Sequence, residues 1–565
     1  MRSPVASLLL GLSTVGTLCH TADTTSYTNP LFPGWHSDPS CTYVSEQETI
    51  FCVTSTFIAF PGLPVYASKD LQNWELASNV FNRRSQIPTL SETTDQQGGI
   101  YAPALRYHDG RFYLIVSFLG PETIGLVFTS SDIYNETAWS EPLEFPVKGI
   151  DPDIFWDDDG TVYVTSADDE RIQHYSLDLE TGERGPIVDL WNGTGGVHPE
   201  GPHLYRKDSY YYLLIAEGGT ELNHAATMAR SKSRTGPWEP HPSNPVLTNR
   251  NTTQYFQTVG HADLFQDPNG HWWAVALSTR SGPDWKNYPM GRETILAPIT
   301  WEQDGWPIAQ PVRGQMEGAL PSENNEGLNG NRRINEPDHV TFEPGSSIPS
   351  HFLFWRYPNP DHFTISPPNH PNSLRLTPSH YNLTGDASHP NDSITLLTRR
   401  QTDTLFTYSA DIAFIPQAPN DEAGVTVFLT QHQHIDLSLV SGNGSSLAFR
   451  LRVEGRGNYE GELPYKVVPV PAAWRSGPIR FGIRAVSDSQ YEFSVAGGDD
   501  LSQSVAVGCA DSQIVSGDTG RFTGTLIGVY ATTNGGPVST EAYISNWKYE
   551  GQGQKIDNST IIPSQ

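Results

Sequence analysis

A fivefold repeat in the N-terminal half constrains the fold of this chain more than any other feature. Each copy has a small or acidic residue near a Pro or Ala, then an apolar strand, a polar turn and a second strand rich in Tyr, Trp and Val. The copies are HSDPSCTYVSEQETIFCVTS, YAPALRYHDGRFYLIVS, IDPDIFWDDDGTVYVTS, EGPHLYRKDSYYYLLIA and HADLFQDPNGHWWAVALS. Aligning Asp38, Ala102, Asp151, Gly201 and Ala262 gives intervals of 64, 49, 50 and 61 residues, each sufficient for a four-stranded antiparallel sheet. The repeat predicts a five-bladed β-propeller, and a sandwich of hairpins is the alternative.

The second half of the chain has a different pattern. Residues 311–339 are rich in Gly, Pro, Asn and Glu with little periodicity, which predicts a linker. Beyond it, segments such as LFTYSADIAFI, AGVTVFLTQ and IRFGIRAVS alternate or cluster apolar residues between turns. Because 565 residues exceed what one core usually serves, we expect an all-β protein with two domains. These are a propeller at residues 27–310 and a β-sandwich at residues 340–552.

The N-terminus has the layout of a secretory signal peptide. Arg2 precedes a largely apolar run at residues 5–18, and small polar residues follow. We therefore expect residues 1–21 to be removed and the protein to be secreted, with an amphipathic N-terminal helix as the alternative. Seven N-x-S/T sequons, some of which we expect to be glycosylated, agree with secretion; they are at Asn135, Asn192, Asn251, Asn382, Asn391, Asn443 and Asn558.

The net charge limits the expected binding partners, and the cysteine positions predict one disulfide. A net charge of −28 repels phosphate backbones and anionic lipid, so neither nucleic acid nor a membrane is an expected partner. Separately, we expect the protein to be a monomer. Cys19 should leave with the signal peptide. Cys41 and Cys52 flank a hairpin turn and could form a disulfide across two strands. Cys509 stands alone and is expected to be a small buried thiol.

Four residues that open repeat copies carry chemical groups. Asp38, Asp151, Glu200 and His261 lie at or one residue before the aligned position, in four different blades. The first strands of the blades line the propeller axis, so these side chains should converge at one mouth. Breaking a glycosidic bond needs a carboxylic acid to protonate the leaving oxygen and a carboxylate on the opposite face of the sugar. A third carboxylate nearby would raise the pKa of the acid.

The motifs around these residues resemble glycoside hydrolase family 43. They are SDPS at Asp38, GIDPDIF at Asp151, PEGPHLY at Glu200, VGHADLF at His261 and GRETILAP at Arg292. The resemblance implies a five-bladed propeller that acts with inversion on arabinose- and xylose-containing polymers. It also implies that Asp38 is the general base, Glu200 the general acid and Asp151 the residue that tunes and orients this acid. Arg292 would contact the released sugar, and His261 would lie near a structural metal ion, often calcium, on the axis; the chemistry itself needs no cofactor.

Each assignment has a structural alternative. Asp38, Asp151 and Glu200 could be turn or loop residues, and His261 could be a core histidine. Asp153 and the three aspartates at residues 157–159 are expected to be solvated turn residues.

The predicted sugar-binding residues also have structural alternatives. Arg292 could form a structural ion pair with Glu293 or Asp284. Aromatic rings can pack on sugar faces, and the candidates near the blade mouths, each of which could instead be a core aromatic, are Trp35, Phe57, Phe60 and Phe118.

The closest resemblance within the family is to secreted arabinofuranosidases that remove arabinose from arabinoxylan, a plant cell-wall polysaccharide. β-Xylosidases share this layout, including a concanavalin-like, jelly-roll sandwich after the propeller, and are the alternative. A sugar-binding propeller without catalysis is a third hypothesis, since fold alone does not imply activity. The DPNG at Asp267 is similar to the nucleophile motif of invertase-like enzymes, but it falls in the hairpin turn of the fifth copy.

Overall fold

The computed structural model describes residues 24–168, 171–324, 327–385, 393–442, 447–455, 459–475, 477–498, 500–537 and 540–564. The predicted signal peptide and the sequons at Asn391 and Asn443 lie outside these ranges. The described residues form strands and short 3₁₀ helices, and none of them forms a helix long and apolar enough to cross a membrane.

The N-terminal half is a five-bladed β-propeller, as the repeat predicts, and not a sandwich of hairpins. Each blade is a four-stranded antiparallel sheet whose strands follow chain order from the axis outward. The strands are Ser40–Val44, Thr49–Val53, Gly62–Ser68 and Glu75–Phe81 in blade 1; Gly99–His108, Arg111–Leu119, Thr123–Ser130 and Leu143–Phe145 in blade 2; Ile150–Trp156, Val162–Asp168, Arg171–Ser176 and Val188–Asp189 in blade 3; Glu200–Lys207, Tyr210–Glu217, Ala225–Ser231 and Glu239–Pro240 in blade 4; and Phe256–Gln266, Trp272–Arg280, Glu293–Thr300 and Ile308–Ala309 in blade 5.

The hydrophobic cores of the propeller lie between neighbouring blades. Phe51 of blade 1 and Phe112 of blade 2, for example, have ring centroids 5.3 Å apart in an edge-to-face arrangement. A strand with one apolar face must bury that face against another sheet, so each blade is stable only beside its neighbours.

The chain closes the ring through the segment that precedes blade 1. Strand Thr25–Thr28 pairs with Gln315–Gly318, which follows blade 5. Asn29 donates to the carbonyl oxygens of Leu296 and Arg313 at 3.0 and 3.1 Å, and its own side-chain oxygen accepts from the Leu296 N–H at 2.9 Å. These bonds join the first and last blades.

The residue that opens each blade has left-handed backbone geometry. The five positions, with φ between 49° and 57°, are Asp38, Ala102, Asp151, Gly201 and His261. The structural repeat therefore uses His261 in blade 5, one residue before the Ala262 of the sequence alignment. Non-glycine residues rarely adopt this conformation, and its recurrence in every blade marks a shared kink that aims these side chains at the mouth.

Two to four residues further along the first strands, a polar cluster fills the axis. The Arg106 guanidinium lies 2.9 Å from Asp153 and 2.9 Å from Asp263, and it contacts His203 Nδ1 at 3.1 Å. The Tyr205 hydroxyl donates to Asp263 at 2.7 Å. The prediction that Asp153 is a solvated turn residue is wrong: it lies inside its strand and is 2% exposed, because the Arg106 guanidinium neutralises it.

The C-terminal half is a β-sandwich, as predicted, whose core lies between two sheets. One sheet has the order Phe363–Ile365, Leu374–Leu376, Ala542–Lys555, Leu405–Ala413, Ile479–Ser487, Gln490–Ala496 and Val505–Asp511, with Asp338–Val340 and Ile561–Ile562 also paired to Ala542–Lys555. The other has the order Thr395–Arg400, Leu526–Thr532, Glu422–Thr430, Gln433–Ser441, Leu447–Glu454 and Lys466–Pro469.

The two halves are joined by backbone pairing. Strand Ala59–Phe60, an excursion from blade 1, pairs with Phe354–Trp355 at the start of the sandwich. Within the described ranges, 3₁₀ helices lie at Arg84–Gln86, Pro88–Glu92, Glu136–Ala138, Pro360–His362, Ala472–Trp474, Ser512–Val515 and Asp518–Gly520.

The cysteine predictions have different outcomes. Cys41 and Cys52 face each other across the first hairpin of blade 1 and form a disulfide. The prediction of a buried thiol at Cys509 is wrong, because this residue lies on the outer face of strand Val505–Asp511 at the sheet edge and is exposed.

Candidate active site

The three predicted carboxylates meet at the propeller mouth. Asp38 accepts a hydrogen bond from Ser55 Oγ at 2.6 Å, and the same hydroxyl oxygen accepts from the Ala102 N–H at 2.7 Å. The other Asp38 oxygen lies 3.5 Å from Arg292 Nη1. Blades 1, 2 and 5 thus hold the Asp38 carboxylate, which is 3% exposed.

Asp151 is attached to the strand that carries Glu200. The Gly201 N–H donates to Asp151 Oδ2 at 2.9 Å, which fixes the backbone directly after Glu200. Burial raises the pKa of Asp151 well above its usual value, and the Glu200 and Asp38 carboxylates raise it further, against the Gly201 N–H and Arg292. Asp151 is therefore a buried carboxyl that shares its environment with two like charges.

Glu200 has the electrostatics of an acid catalyst. Burial raises its pKa to about 7; Arg292 opposes this shift, whereas Asp38 and Glu221 add to it. The side chain is half-buried at the mouth. Since the strongest effects are burial and neighbouring charge, Glu200 keeps its proton at acidic pH, where an exposed glutamate would have lost it.

Tyr101 is a fourth polar group in this cluster that the sequence reasoning missed. Burial raises the pKa of its phenol, and Asp151, Asp38 and Glu200 all raise it further. All three carboxylates thus lie close enough to act on one hydroxyl. Its ring stacks on Phe57 with centroids 4.9 Å apart.

Arg292 faces the carboxylates and not its sequence neighbours. It contacts Asp38 and donates to the Thr220 hydroxyl. Glu293, one of its predicted structural partners, instead forms a fully buried ion pair with Arg280 at 2.6 Å. The Glu293 carboxylate also accepts from the Gly34 N–H at 2.6 Å, so this pair positions the loop that leads to Asp38.

The structure places the predicted aromatic contacts at different depths. Trp35 is completely buried, with its ring 6.1 Å from Phe57, so it supports the pocket from beneath. Phe60 lies elsewhere: it pairs with the start of the sandwich and packs on Phe81 and Tyr357. Phe57 and Phe118 are both 1% exposed.

The sandwich contributes a ring to the mouth, and the sequence contained no signal for it. The Arg292 guanidinium lies 4.3 Å from the centre of the Phe522 ring, which also stacks on Phe57 at 6.2 Å. The Phe522 N–H donates to Gln97 of the propeller at 2.8 Å. Gly291 permits this approach: it has a φ of 66°, and a Cβ there would lie 2.0 Å from the Thr523 carbonyl oxygen. Phe522 therefore forms one wall over the carboxylates.

The structure places His261 beside Gly201 and Asp151. Its ring packs against Gly201, and its Nδ1 lies 4.0 Å from Asp151. Burial lowers the pKa of His261 to about 4, so the ring is neutral. Within the described ranges, no group of three or more His, Cys, Asp or Glu side chains is arranged to hold a metal ion, whereas calcium takes six to eight oxygens. On the axis below, Arg106 already supplies the cation for Asp153 and Asp263.

Comparison with known families decides the identity. Residues 27–307 match Glycosyl hydrolases family 43, and residues 339–550 match the Beta xylosidase C-terminal Concanavalin A-like domain. A protein from Bacteroides ovatus named Non-reducing end alpha-L-arabinofuranosidase BoGH43B is 36% identical over 529 residues, which cover 90% of this chain and 92% of that protein. The chain belongs to glycoside hydrolase family 43. This family 43 enzyme is also 32% identical to Xylosidase/arabinosidase from Butyrivibrio fibrisolvens over 90% of its length and 96% of the relative.

Solved structures agree with this placement. "Bacteroides ovatus Xyloglucan PUL GH43B" superposes with a TM-score of 0.82 at 34% identity and covers 93% of this chain and 99% of its own. A xylan beta-1,4-xylosidase from Bacillus halodurans superposes with a TM-score of 0.81 at 27% identity, again over 93% and 99%. The protein is therefore a glycoside hydrolase in which the propeller and the sandwich are both family features.

The first prediction concerns pH. We expect kcat/KM to fall about tenfold per pH unit above about pH 7, because Glu200 must be protonated to donate its proton. The measurement is a pH profile on an unactivated disaccharide and on a dinitrophenyl glycoside of the same sugar. The second leaving group needs little protonation, so its profile should stay flatter. Identical alkaline limbs for the two substrates would contradict this role.

The second prediction concerns the sandwich wall. Phe522→Ala should raise KM by about tenfold, because it removes the ring packed on Arg292 and Phe57. Tyr465→Ala is the matched control, since Tyr465 also belongs to the sandwich but is 68% exposed. An unchanged KM in the Phe522 variant would show that this ring does not contact substrate.

Proposed function

We propose that this protein is a secreted exo-acting arabinofuranosidase that removes α-L-arabinofuranosyl side chains from plant arabinoxylan with inversion. The observation that carries the proposal is the cluster of three carboxylates at the propeller mouth, with Phe522 of the sandwich as one wall. A pocket closed on one side suits a single terminal sugar. The choice of arabinose is supported by 36% identity, over 90% of the chain, to a relative named as a non-reducing end α-L-arabinofuranosidase.

In this proposal the three carboxylates have different roles. Glu200, with its raised pKa, protonates the leaving oxygen. Asp38 takes a proton from the attacking water. Asp151 shares the buried environment of Glu200 and holds its strand through the Gly201 N–H. Arg292, beside both Asp38 and the Phe522 ring, contacts the sugar that is released.

The placement of acid and base supports inversion. Asp38 comes from blade 1 and Glu200 from blade 4, which are not neighbours in the ring. Inverting enzymes need about 6.5–9.5 Å between the two carboxyl groups so that water fits between base and sugar. Because the two residues come from non-adjacent blades, part of the propeller mouth separates them, as inversion requires.

Secretion is supported by the N-terminal sequence and by surface chemistry. Residues 1–21 have the signal-peptide pattern. The sequon asparagines Asn135, Asn192, Asn251 and Asn558 are exposed or half-buried, so glycosylation can reach them.

A β-xylosidase is the second candidate, and named relatives support it. A Beta-xylosidase from Bacillus subtilis is 36% identical over 318 residues, which cover 52% of this chain and 58% of that protein. The two sugars differ in ring size and stereochemistry, so a few pocket contacts would decide between them.

The deciding experiment is product analysis on polysaccharides. We expect arabinose from arabinoxylan, with NMR showing the inverted anomer first. Arabinosylated xyloglucan should be tested in parallel, because the similar Bacteroides ovatus structure is named for xyloglucan. Xylose from xylo-oligosaccharides without arabinose would replace the proposal with the β-xylosidase, and a retained anomer would refute inversion.

The roles of acid and base are separable by mutation. Glu200→Gln and Asp38→Asn should each lower kcat on arabinoxylan oligosaccharides by at least about a hundredfold. On a dinitrophenyl arabinofuranoside the Glu200 variant should recover much of its rate, whereas the Asp38 variant should not. Glu239→Gln is the control, since Glu239 is an exposed acid at the outer edge of the same blade as Glu200. Equal recovery of both variants would contradict the assignment.

A further inference from the structure

A cluster of guanidinium groups lies between the propeller and the sandwich, apart from the catalytic carboxylates. A small cavity there has a volume of about 30 Å³. Its lining includes His36 and Tyr66 from the propeller, Arg332 from the connecting segment, and Arg399 and Arg400 from the sandwich. It is a polar cavity in the domain interface.

Arg400 is the unusual member of this cluster. It is 6% exposed, and its Nε and Nη2 atoms are buried without a hydrogen-bond acceptor. Burial lowers the pKa of its guanidinium; the Tyr66 phenol opposes that shift, and Arg399 adds to it. No carboxylate is among these influences. A guanidinium stays charged in proteins, so Arg400 is a buried cation for which the described residues supply no anionic partner.

The neighbouring carboxylates are occupied by other groups. Asp338 lies 2.8 Å from Arg332 and 3.2 Å from Arg399, and it contacts His351 at 3.0 Å. Asp403 accepts hydrogen bonds from the Thr402 hydroxyl, Tyr549, Gln554 and Ser564.

The remaining polar groups near Arg400 carry no negative charge. His36 Nε2 lies 2.8 Å from the Tyr66 hydroxyl and its Nδ1 3.1 Å from the Pro33 carbonyl oxygen, so the two side chains satisfy each other. Burial lowers the pKa of His36 well below its usual value, and Arg400 lowers it further, so the ring is neutral. The described residues that line the cavity thus include four guanidiniums, those of Arg332, Arg333, Arg399 and Arg400, and the carboxylate that pairs with this cluster is Asp338.

Size and charge together select a ligand class. A cavity of this volume holds one water molecule or one monatomic ion, and is too small for sulfate, phosphate or a carboxylate. Water can occupy the space but cannot neutralise the surplus charge. We propose that the cavity beside Arg400 binds a halide ion, chloride in ordinary solutions, that joins the two domains.

The position of Arg400 connects this site to the catalytic pocket. Its guanidinium lies 5.5 Å from the centre of the Trp35 ring. Trp35 supports Phe57 and lies three residues before Asp38 in the same loop. A halide here would therefore stabilise both the domain interface and the support beneath the pocket.

The first test uses the wild-type protein. Crystals soaked in sodium bromide should show an anomalous difference peak in the cavity beside Arg400. The melting temperature should rise saturably with chloride or bromide at constant ionic strength, with gluconate, which is too large to enter, as the balancing anion. A water molecule alone in the cavity, or equal stabilisation by gluconate, would overturn the proposal.

The second test removes the cation. Arg400→Gln should abolish the halide-dependent rise in melting temperature, whereas Arg484→Gln should keep it, because the Arg484 side chain is 53% exposed on the same domain. A halide response that persists in the Arg400 variant would also refute the site. Should that variant fail to fold, the bromide experiment on the wild type still decides.

Discussion

The buried contacts of Arg106 on the propeller axis are the interaction on which the rest of the site depends. Its guanidinium joins Asp153 of blade 3, Asp263 of blade 5 and His203 of blade 4, and it also donates to Ser40 of blade 1 at 3.0 Å. Arg106 itself belongs to blade 2, so one side chain ties all five first strands together. Removing it would leave the buried carboxylates of Asp153 and Asp263 without their arginine partner, and breaking a buried ion pair typically costs about 3–5 kcal/mol.

The three carboxylates at the mouth stand on this frame, two or three residues before the axis cluster in the same segments. Asp38, Asp151 and Glu200 repel one another, and nothing in their own segments would hold them together. The axis cluster and the left-handed kink in each blade hold them in place. Burial and the nearby Asp38 carboxylate raise the pKa values of both Asp151 and Glu200. Packing energy far from the substrate thus maintains an arrangement that is unfavourable by itself.

The sandwich is part of the site and not only a brace. It supplies Phe522 to the wall of the site, and Arg280 bonds both to Glu293 beneath the Asp38 loop and to Gln554 of strand Ala542–Lys555 at 2.8 Å. Arg400 lies under Trp35 from the same side. The geometry of the carboxylate site therefore depends on how the two domains are docked. The interface carries surplus positive charge at Arg400, beside Trp35.

The amino-acid sequence by itself determined the blade count, the sandwich and which three carboxylates meet at the mouth, because each blade is a local hairpin unit whose pattern recurs at intervals of 49 to 64 residues. It also placed Arg292. Tertiary structure alone decided which residues surround them. The local pattern predicts a turn residue at Asp153 because its partner Arg106 lies in another blade, and Phe522 carries no signal because it reaches the mouth from another domain. Sequence periodicity reports which face of a strand is buried, whereas contacts between blades and domains join residues far apart in the chain and depend on how whole sheets pack.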